Sequence, residues 1–400
     1  MDSAAPDSRS SLYSFSLPQL VALLADLGQP AWRARQVWRW LYVGLVDDFA
    51  QMTDLPAGLR AALAERFRLH TVTVETATDS HDSPATKFLF RLRDGKYIET
   101  VLMHYGDEAA EAPDDDEAVD ALVPDDSAGE PTGLNPVSVP QTERHTVCLS
   151  TQAGCAMGCV FCATGQMGLL RDLDQGECVE QVVWCARSLA GRGKRLTHVV
   201  FMGMGEPLAN WPATWGTVET LTDPSGLQLS ARRLTLSTVG IVPGIDRLAA
   251  MGKPVRLAVS LHAPDDRLRS RLVAVNQVYP LQAILDACHR YQDAGGRRIT
   301  FEYVLIEGIN DRVAQAKALA RQVRGLRAHV NLIPLNPTAG SPLRPSPPAR
   351  ALAFRDALQH AGLSTTLRLR RGIDIQAGCG QLRMRVEGPM GRTIPLELTS

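Results

Sequence analysis

Beyond residue 145 the chain alternates between short apolar runs and longer amphipathic stretches. Six runs rich in β-branched and other apolar residues lie at 147–150, 199–202, 234–238, 256–261, 300–305 and 330–334. A stretch of helical length separates each run from the next, which predicts parallel strands joined by right-handed crossovers. The pattern therefore predicts an α/β fold built on an open, partial (βα)6 barrel. Ligand sites on such folds gather at the C-terminal ends of the strands.

The first 75 residues show a helical pattern instead. Leucines at helical spacing predict a helix over 17–27, which Ser16 is placed to cap, and a second helix runs from Pro30 through Trp40. The second helix interleaves tryptophans with arginines. Tryptophans at this spacing are typical of core anchors, and the cations beside them leave contact with RNA as the alternative.

A change to alternating residues marks the next segment. The runs 88–92 and 97–102 flank an Asp-Gly pair and predict a β-hairpin. Composition and motifs set the other boundaries. The expected division is a helical, RNA-binding accessory domain at 1–75, a β-hairpin region at 76–106, an acidic disordered insertion at 107–139, the barrel at 140–375 and a C-terminal segment at 376–400.

Composition and charge narrow the class of protein. With 45% hydrophobic and 21% charged residues the chain can bury a sizeable core, and no apolar run approaches the ~18 residues of a membrane span. We expect a soluble, cytoplasmic protein without a membrane partner. Eleven acids and no Lys or Arg lie between Asp107 and Glu130, and without them 32 acids would face 42 basic residues. That balance suits an anionic partner, although ordinary surface charge is the alternative interpretation.

Cysteine spacing gives the most specific signal. Cys155, Cys159 and Cys162 crowd into eight positions, and three thiolates at this spacing can bind three irons of a 4Fe-4S cluster. The fourth iron would then be open to a small molecule. Structural zinc is the alternative, but it requires four protein ligands, and the nearest downstream cysteines, Cys178 and Cys185, lie seven residues apart on an apolar helix. We interpret those two, and Cys288, as core residues.

The triad and the strand ends that follow it resemble the radical S-adenosylmethionine superfamily. In that superfamily the cysteines bind the cluster, and the open iron chelates the methionine moiety of S-adenosylmethionine. The segment 203–207, Gly-Met-Gly-Glu-Pro, is similar to the motif that meets the methionine amino group. The resemblance implies that four strand ends bind S-adenosylmethionine, through Gly205, Glu206, Ser237, Ser260, Leu261, His262 and Asn336.

Two further cysteines narrow the resemblance to one family within this superfamily. Cys148 precedes the triad by seven residues, and Cys379 lies in a Gly-Cys-Gly segment near the C-terminus. With Arg370, Arg371 and the segment 331–337, they resemble the dual-specificity ribosomal and transfer RNA methyltransferases that modify position 2 of adenine. The resemblance implies 23S ribosomal RNA (adenine 2503, in the peptidyl transferase centre) and transfer RNA (adenine 37) as substrates. Only the acidic insertion departs plainly from the family pattern.

The resemblance also implies a radical route with two S-adenosylmethionine molecules per turnover. Carbon 2 of adenine is electron-poor and is no nucleophile, so a polar methyl transfer has no route. Cys379 would be methylated by one S-adenosylmethionine, and a 5'-deoxyadenosyl radical from the second would take a hydrogen from that methyl group. The methylene radical adds to carbon 2, and Glu99 removes the carbon 2 proton. Cys148 then attacks the Cys379 sulfur and closes a transient Cys148–Cys379 disulfide, which releases the RNA.

Two other interpretations stay open at this point. One is a relative that methylates position 8 of the same ribosomal adenine, although the N-terminal region and the strand around Glu99 resemble the position 2 group more. The other is a non-catalytic RNA-binding protein whose cysteines hold a structural metal. For the enzyme we expect a reducing partner such as flavodoxin or ferredoxin, and a monomer.

Overall fold

The computed structural model describes residues 9–105, 143–338, 341–368, 375–378 and 380–382. The predicted acidic insertion lies outside these residues, as do Arg370, Arg371 and Cys379. No helix in the described ranges is long and apolar enough to cross a bilayer.

The N-terminal part of the described chain is a small helical unit. Its elements are β1 (Ser10–Ser11), α1 (Leu17–Asp26), α2 (Trp32–Tyr42), α3 (Ala57–Arg66) and β2 (Phe67–Arg68). Ser16 caps α1 as predicted, because its hydroxyl accepts from the Gln19 N–H while the Gln19 side chain accepts from the Ser16 N–H. Trp38 is buried in the core of this unit, as the helical spacing predicts, whereas Trp32 is 52% exposed.

Three antiparallel strands follow the helical unit. They are β3 (Val72–Asp79), β4 (Ala85–Leu92) and β5 (Tyr97–Tyr105). The strands β4 and β5 form the predicted hairpin, and β3 extends it as a third strand that the sequence pattern did not indicate. Because β5 also pairs with the first barrel strand, the hairpin continues the main sheet.

The barrel strands occupy the predicted positions. The strands of this part are β6 (Arg144–Cys148), β7 (Gln152–Gly154), β8 (Leu169–Asp172), β9 (His198–Phe201), β10 (Leu234–Thr238), β11 (Arg256–Ser260), β12 (Ile299–Leu305), β13 (Ala328–Pro334) and β14 (Ser364–Leu367). Six of them, β6 and β9 to β13, are the predicted runs and are parallel. The seventh parallel strand, β14, was not predicted.

One ten-stranded sheet joins the barrel and the hairpin. Its order is β14-β13-β12-β11-β10-β9-β6-β5-β4-β3, and β7 and β8 form a separate hairpin beside it. The helices of this part are α4 (Ala163–Met167), α5 (Gln175–Ala190), α6 (Trp211–Leu221), α7 (Val242–Ala250), α8 (Asp266–Leu272), α9 (Leu281–Asp293), α10 (Val313–Gln322) and α11 (Pro348–His360). Short 3₁₀ turns lie at Leu12–Ser14, Phe49–Gln51, Ala231–Arg233 and Ala274–Gln277.

The strand register divides the sheet into two unlike faces. Phe201, Leu236 and Phe301 lie on a face that packs against the helices in the main core. On the opposite face, here called the open face, paired and alternate residues are mostly polar. The register places the following residues on it: Glu99, Cys148, Ser237, Ser260, Glu302 and Asn331. The open face of the sheet therefore carries mostly polar side chains.

Glu180, on α5, fastens the helical unit to the barrel. Its carboxylate accepts hydrogen bonds from the Ser11 hydroxyl at 2.7 Å and from the backbone N–H groups of Thr71 at 2.6 Å and Val72 at 3.1 Å. The Thr71 hydroxyl donates to it as well. Burial raises the pKa of Glu180 to about 7, and the four donors act in the opposite direction. One carboxylate thus holds both ends of the helical unit.

Replacing Glu180 by alanine tests this attachment. We expect Glu180→Ala to lower the free energy of unfolding by about 2–4 kcal/mol, because several buried donors lose their acceptor. Glu65→Ala is the matched control, since Glu65 is exposed on α3, and it should change stability by less than about 0.5 kcal/mol. Urea unfolding followed by tryptophan fluorescence measures both, and equal effects of the two variants would contradict the role of Glu180.

Candidate active site

The three cysteines of the triad lie in one loop between β7 and α4. Cys155 and Cys159 are buried, and Cys162 is half-buried. The Cys155 N–H donates to the carbonyl of Gly168 at 2.9 Å, which ties the loop to the β8 side. Gly154, just before the loop, has φ +82°, and a Cβ there would lie 2.0 Å from the Gly168 carbonyl oxygen. Only glycine therefore allows this close approach.

The thiols of the triad affect one another electrostatically. Burial raises the pKa of Cys155 to about 12 and that of Cys159 well above its usual value, and the neighbouring Cys162 thiol adds to both effects. Within the described ranges, no three His, Cys, Asp or Glu side chains converge on the position of a single metal ion. A 4Fe-4S cluster does not require that its ligands converge on one metal position, because each thiolate binds a different iron. Three thiols in one loop that affect one another's charge are compatible with such a cluster, and the irons would supply the positive charge that thiolates require.

Glu206 joins the end of β9 to the end of β10. Its backbone N–H donates to Gln152 Oε1 at 2.8 Å, and its carboxylate accepts from the N–H groups of Leu208 at 3.0 Å and Val239 at 2.8 Å. Burial raises the pKa of Glu206 to about 7, and its charge in turn raises the pKa of the two buried triad thiols. A carboxylate held beside the triad suits a ligand with an amino group.

Arg269, on α8, holds the next two strand ends together. It donates to the backbone carbonyls of Val239 at 2.5 Å, Ser260 at 3.0 Å and Leu261 at 3.1 Å. The residues predicted at these ends, Ser237, Ser260 and Leu261, lie on the strands that it connects. Sequence reasoning missed Arg269, because its burial among strand ends depends on contacts that are distant along the chain.

His262 contacts the triad loop. Its Nδ1 accepts from the Val304 N–H at 3.1 Å, and its ring lies edge-on to Phe161 with 4.7 Å between the ring centroids. Burial lowers the pKa of His262 to about 3, so that the ring is neutral. A neutral ring leaves Nε2 as the donor, since Nδ1 is the acceptor.

The C-terminal segment returns to the triad. A Cβ on Gly378 would lie 2.6 Å from Asn336 Nδ2, so the backbone of Gly378 packs directly on that predicted ligand residue. The Gly380 carbonyl accepts from the N–H of Ala163, the residue after the triad, at 2.8 Å. Cys379 itself lies outside the described residues. Of its two neighbours in the sequence, Gly378 lies against Asn336 and Gly380 is bonded to the end of the triad loop.

Glu99 and Cys148 share the open face. Val101 pairs with Cys148, and Glu99 lies two residues before Val101, so all three side chains point to the same side. Glu99 is buried, and Lys87 Nζ lies 3.0 Å from its Oε1. Sequence reasoning missed Lys87, although its place in the alternation of β4 puts it on the same face as Glu99.

Ser150 and Gln181, which sequence reasoning also missed, connect these strands. The Ser150 hydroxyl donates to the Glu99 carbonyl at 2.6 Å and accepts from the Met204 N–H at 2.9 Å. Gln181 Oε1 accepts from the Ser150 N–H at 2.8 Å and from the Thr100 hydroxyl at 2.7 Å. The strand of Glu99 and the segment of Glu206 are therefore held in one hydrogen-bonded frame.

Comparison with known proteins agrees with this geometry. Residues 149–319 match the family model of the Radical SAM superfamily, and residues 10–69 match that of the ribosomal RNA large subunit methyltransferase N-terminal domain. A relative from Roseiflexus castenholzii, "Probable dual-specificity RNA methyltransferase RlmN", is 44% identical over 94% of this chain and 96% of its own. A relative from Myxococcus xanthus, "Dual-specificity RNA methyltransferase RlmN 1", is 42% identical over 97% and 98%. The crystal structure of a radical SAM methyltransferase from Sphaerobacter thermophilus has a TM-score of 0.82 and 46% identity, covering 94% of this chain and 99% of that one.

Proposed function

The chain belongs to the RlmN family of radical SAM RNA methyltransferases, and from this premise we propose that it methylates carbon 2 of adenine in 23S ribosomal RNA and in transfer RNA. The proposed targets are the adenines that the sequence resemblance implies. A base inside a helix is closed to a protein side chain, so the target adenosine must be unstacked before the reaction.

The position of the C-terminal segment carries the proposal. The two glycines that flank Cys379 contact the predicted ligand residue Asn336 on one side and the end of the triad loop on the other. The proposal assigns the exchange of a methyl group with a ligand at the strand ends to Cys379, the residue between these two glycines in the sequence.

The residues proposed to bind the cofactors lie in the triad loop and at the C-terminal ends of the barrel strands. Cys155, Cys159 and Cys162 would hold the 4Fe-4S cluster, which supplies the electron that cleaves S-adenosylmethionine. Glu206 is the partner for the methionine amino group. The remaining contacts to S-adenosylmethionine would come from Gly205, Ser237, Ser260, Leu261, His262 and Asn336.

The protein's own residues perform the later steps. The Cys379 sulfur accepts a methyl group and delivers it as a methylene to carbon 2. Glu99, on the open face, accepts the proton that carbon 2 loses. Cys148 lies on the same face, and its thiolate attacks the Cys379 sulfur. The C–S bond breaks with its electron pair on the methylene carbon, which takes up a proton and becomes the methyl group. The products are the Cys148–Cys379 disulfide and free methylated RNA.

The identity of the product tests the function. The enzyme, loaded anaerobically with iron and sulfide, is incubated with S-adenosylmethionine, a reductant and protein-free 23S ribosomal RNA or transfer RNA. We expect 2-methyladenosine in both RNAs by mass spectrometry of nucleosides. A methyl group at carbon 8 would overturn the proposal, and a colourless, zinc-loaded protein without activity would favour the RNA-binding alternative.

The electron donor and the oligomeric state complete the proposal. Cleavage of S-adenosylmethionine requires one electron, for which a small protein such as flavodoxin or ferredoxin is suited. We propose that the enzyme acts as a cytoplasmic monomer. Light scattering of the purified protein measures its mass, and a stable dimer would contradict this part.

A further inference from the structure

Lys87 is a half-buried cation in contact with the proposed proton acceptor. Its Nζ lies 3.0 Å from Glu99 Oε1, and the two side chains are only 15% and 7% exposed. In the register of β4 and β5, Lys87 pairs with Val101 and Leu89 pairs with Glu99. Lys87 and Glu99 are therefore diagonal neighbours on the open face, within reach of a long side chain.

Three further titratable groups lie on the same face of the described strands around Glu99. Arg91, further along the same face of β4, pairs with Glu75 at 3.4 Å, and both side chains are about half exposed. On β5 itself Tyr97 shares the face, and on β6 the neighbour is Cys148. Compared with these groups, Lys87 is a cation that lies within 3.0 Å of the carboxylate and is largely shielded from solvent.

We propose that Lys87 is a positioning residue that keeps Glu99 ionised and aimed at carbon 2 of adenine; this inference rests on the proposed function. An ammonium in contact with a buried carboxylate favours the carboxylate over the carboxylic acid. Burial alone would favour the neutral acid, which cannot accept a proton.

The proton transfer gives Lys87 a defined role. When carbon 2 loses its proton, the C–H bonding pair stays in the purine and a Glu99 oxygen gains the O–H bond. The unpaired electron left by the radical addition returns to the one-electron carrier, of the flavodoxin or ferredoxin class, that the reaction uses. Lys87 keeps its own proton throughout, so it is charged before and after the step. Its contribution is to raise the fraction of enzyme that holds Glu99 ready as a base.

Substitution of Lys87 should move the pH dependence of the reaction. In Lys87→Met, we expect the pH at which RNA methylation falls to half on the acidic side to rise by about one unit or more. Methylation of Cys379 should continue at the wild-type rate, because that step does not use Glu99. Lys87→Arg should restore most of the profile, since it keeps the positive charge.

The experiment uses the iron-loaded enzyme with ribosomal RNA across a pH series. Mass spectrometry of the protein follows methylation of Cys379, and mass spectrometry of nucleosides follows methylation of RNA. Lys96→Met is the matched control, because Lys96 lies in the turn of the same hairpin and bonds Asp94 at the surface. It should leave both rates and the profile unchanged.

The outcomes distinguish a failure of the role of Lys87 from a failure of the proposed function. A Lys87→Met profile that does not shift, or a loss of rate that is uniform in pH and is not restored by Lys87→Arg, would overturn the role of Lys87. A wild-type enzyme that methylates neither Cys379 nor RNA would refute the proposed function instead. The wild-type measurement therefore separates the two failures.

Discussion

Replacing Cys379 by alanine will abolish both methylation of RNA and labelling of the protein by methyl-labelled S-adenosylmethionine. The sulfur is the proposed carrier of the methyl group, and alanine offers no nucleophile in its place. We expect RNA methylation to fall by at least about 10³-fold, as for the loss of a covalent catalyst. The label on the protein is read by mass spectrometry of its peptides, and the RNA product by mass spectrometry of nucleosides.

Cys288 supplies the control for this variant. It is fully buried in α9, and burial raises its pKa to about 12, which makes it an unreactive core thiol. Cys288→Ala should retain labelling of the protein and methylation of RNA. Labelling that persists in Cys379→Ala on another residue would contradict the role of Cys379.

Replacing Cys148 by alanine will trap the RNA on the enzyme. The Cys379 sulfur can still be methylated and can still deliver the methylene to adenine, but no thiolate remains to attack it. We expect one RNA to remain bound covalently per enzyme, as a band that survives denaturing electrophoresis and disappears after nuclease digestion. Free methylated RNA should not accumulate.

The double variant checks that this adduct forms through Cys379. In Cys148→Ala combined with Cys379→Ala, the covalent band should be absent, because the attachment point is lost. Release of methylated RNA from Cys148→Ala at the wild-type rate would contradict the resolving role of Cys148. An adduct that persists in the double variant would contradict the carrier role of Cys379.

The sequence predicted the interior strands better than the edges of the sheet. All six predicted barrel strands are present, because each is paired on both sides and carries apolar residues toward the main core over a short run. Within the ten-stranded sheet, the two strands that the pattern did not indicate, β3 and β14, are the edges in the described chain. An edge strand pairs on one side only, and the mostly exposed residues of Val72–Asp79 carry little apolar periodicity.

In the candidate site, residues marked by a local sequence pattern could be identified, whereas residues whose partners lie far away along the chain could not. The triad could be proposed from the sequence because its three cysteines are close together along the chain, and their spacing alone suggests the chemistry. Arg269, Ser150 and Gln181 act through hydrogen bonds to backbone groups on other elements. No local pattern marks such residues, because their partners are set by the way strands and helices meet.

The fate of a deuterated methyl group tests the central claim most directly. The iron-loaded enzyme is supplied with a reductant, protein-free ribosomal RNA and S-adenosylmethionine that carries a trideuterated methyl group, and it is allowed several turnovers. The radical route through Cys379 predicts 2-methyladenosine that retains two of the three deuterium atoms, together with 5'-deoxyadenosine that has gained one. Methyladenosine that retains all three, or 5'-deoxyadenosine formed without any methylated RNA, would contradict the account.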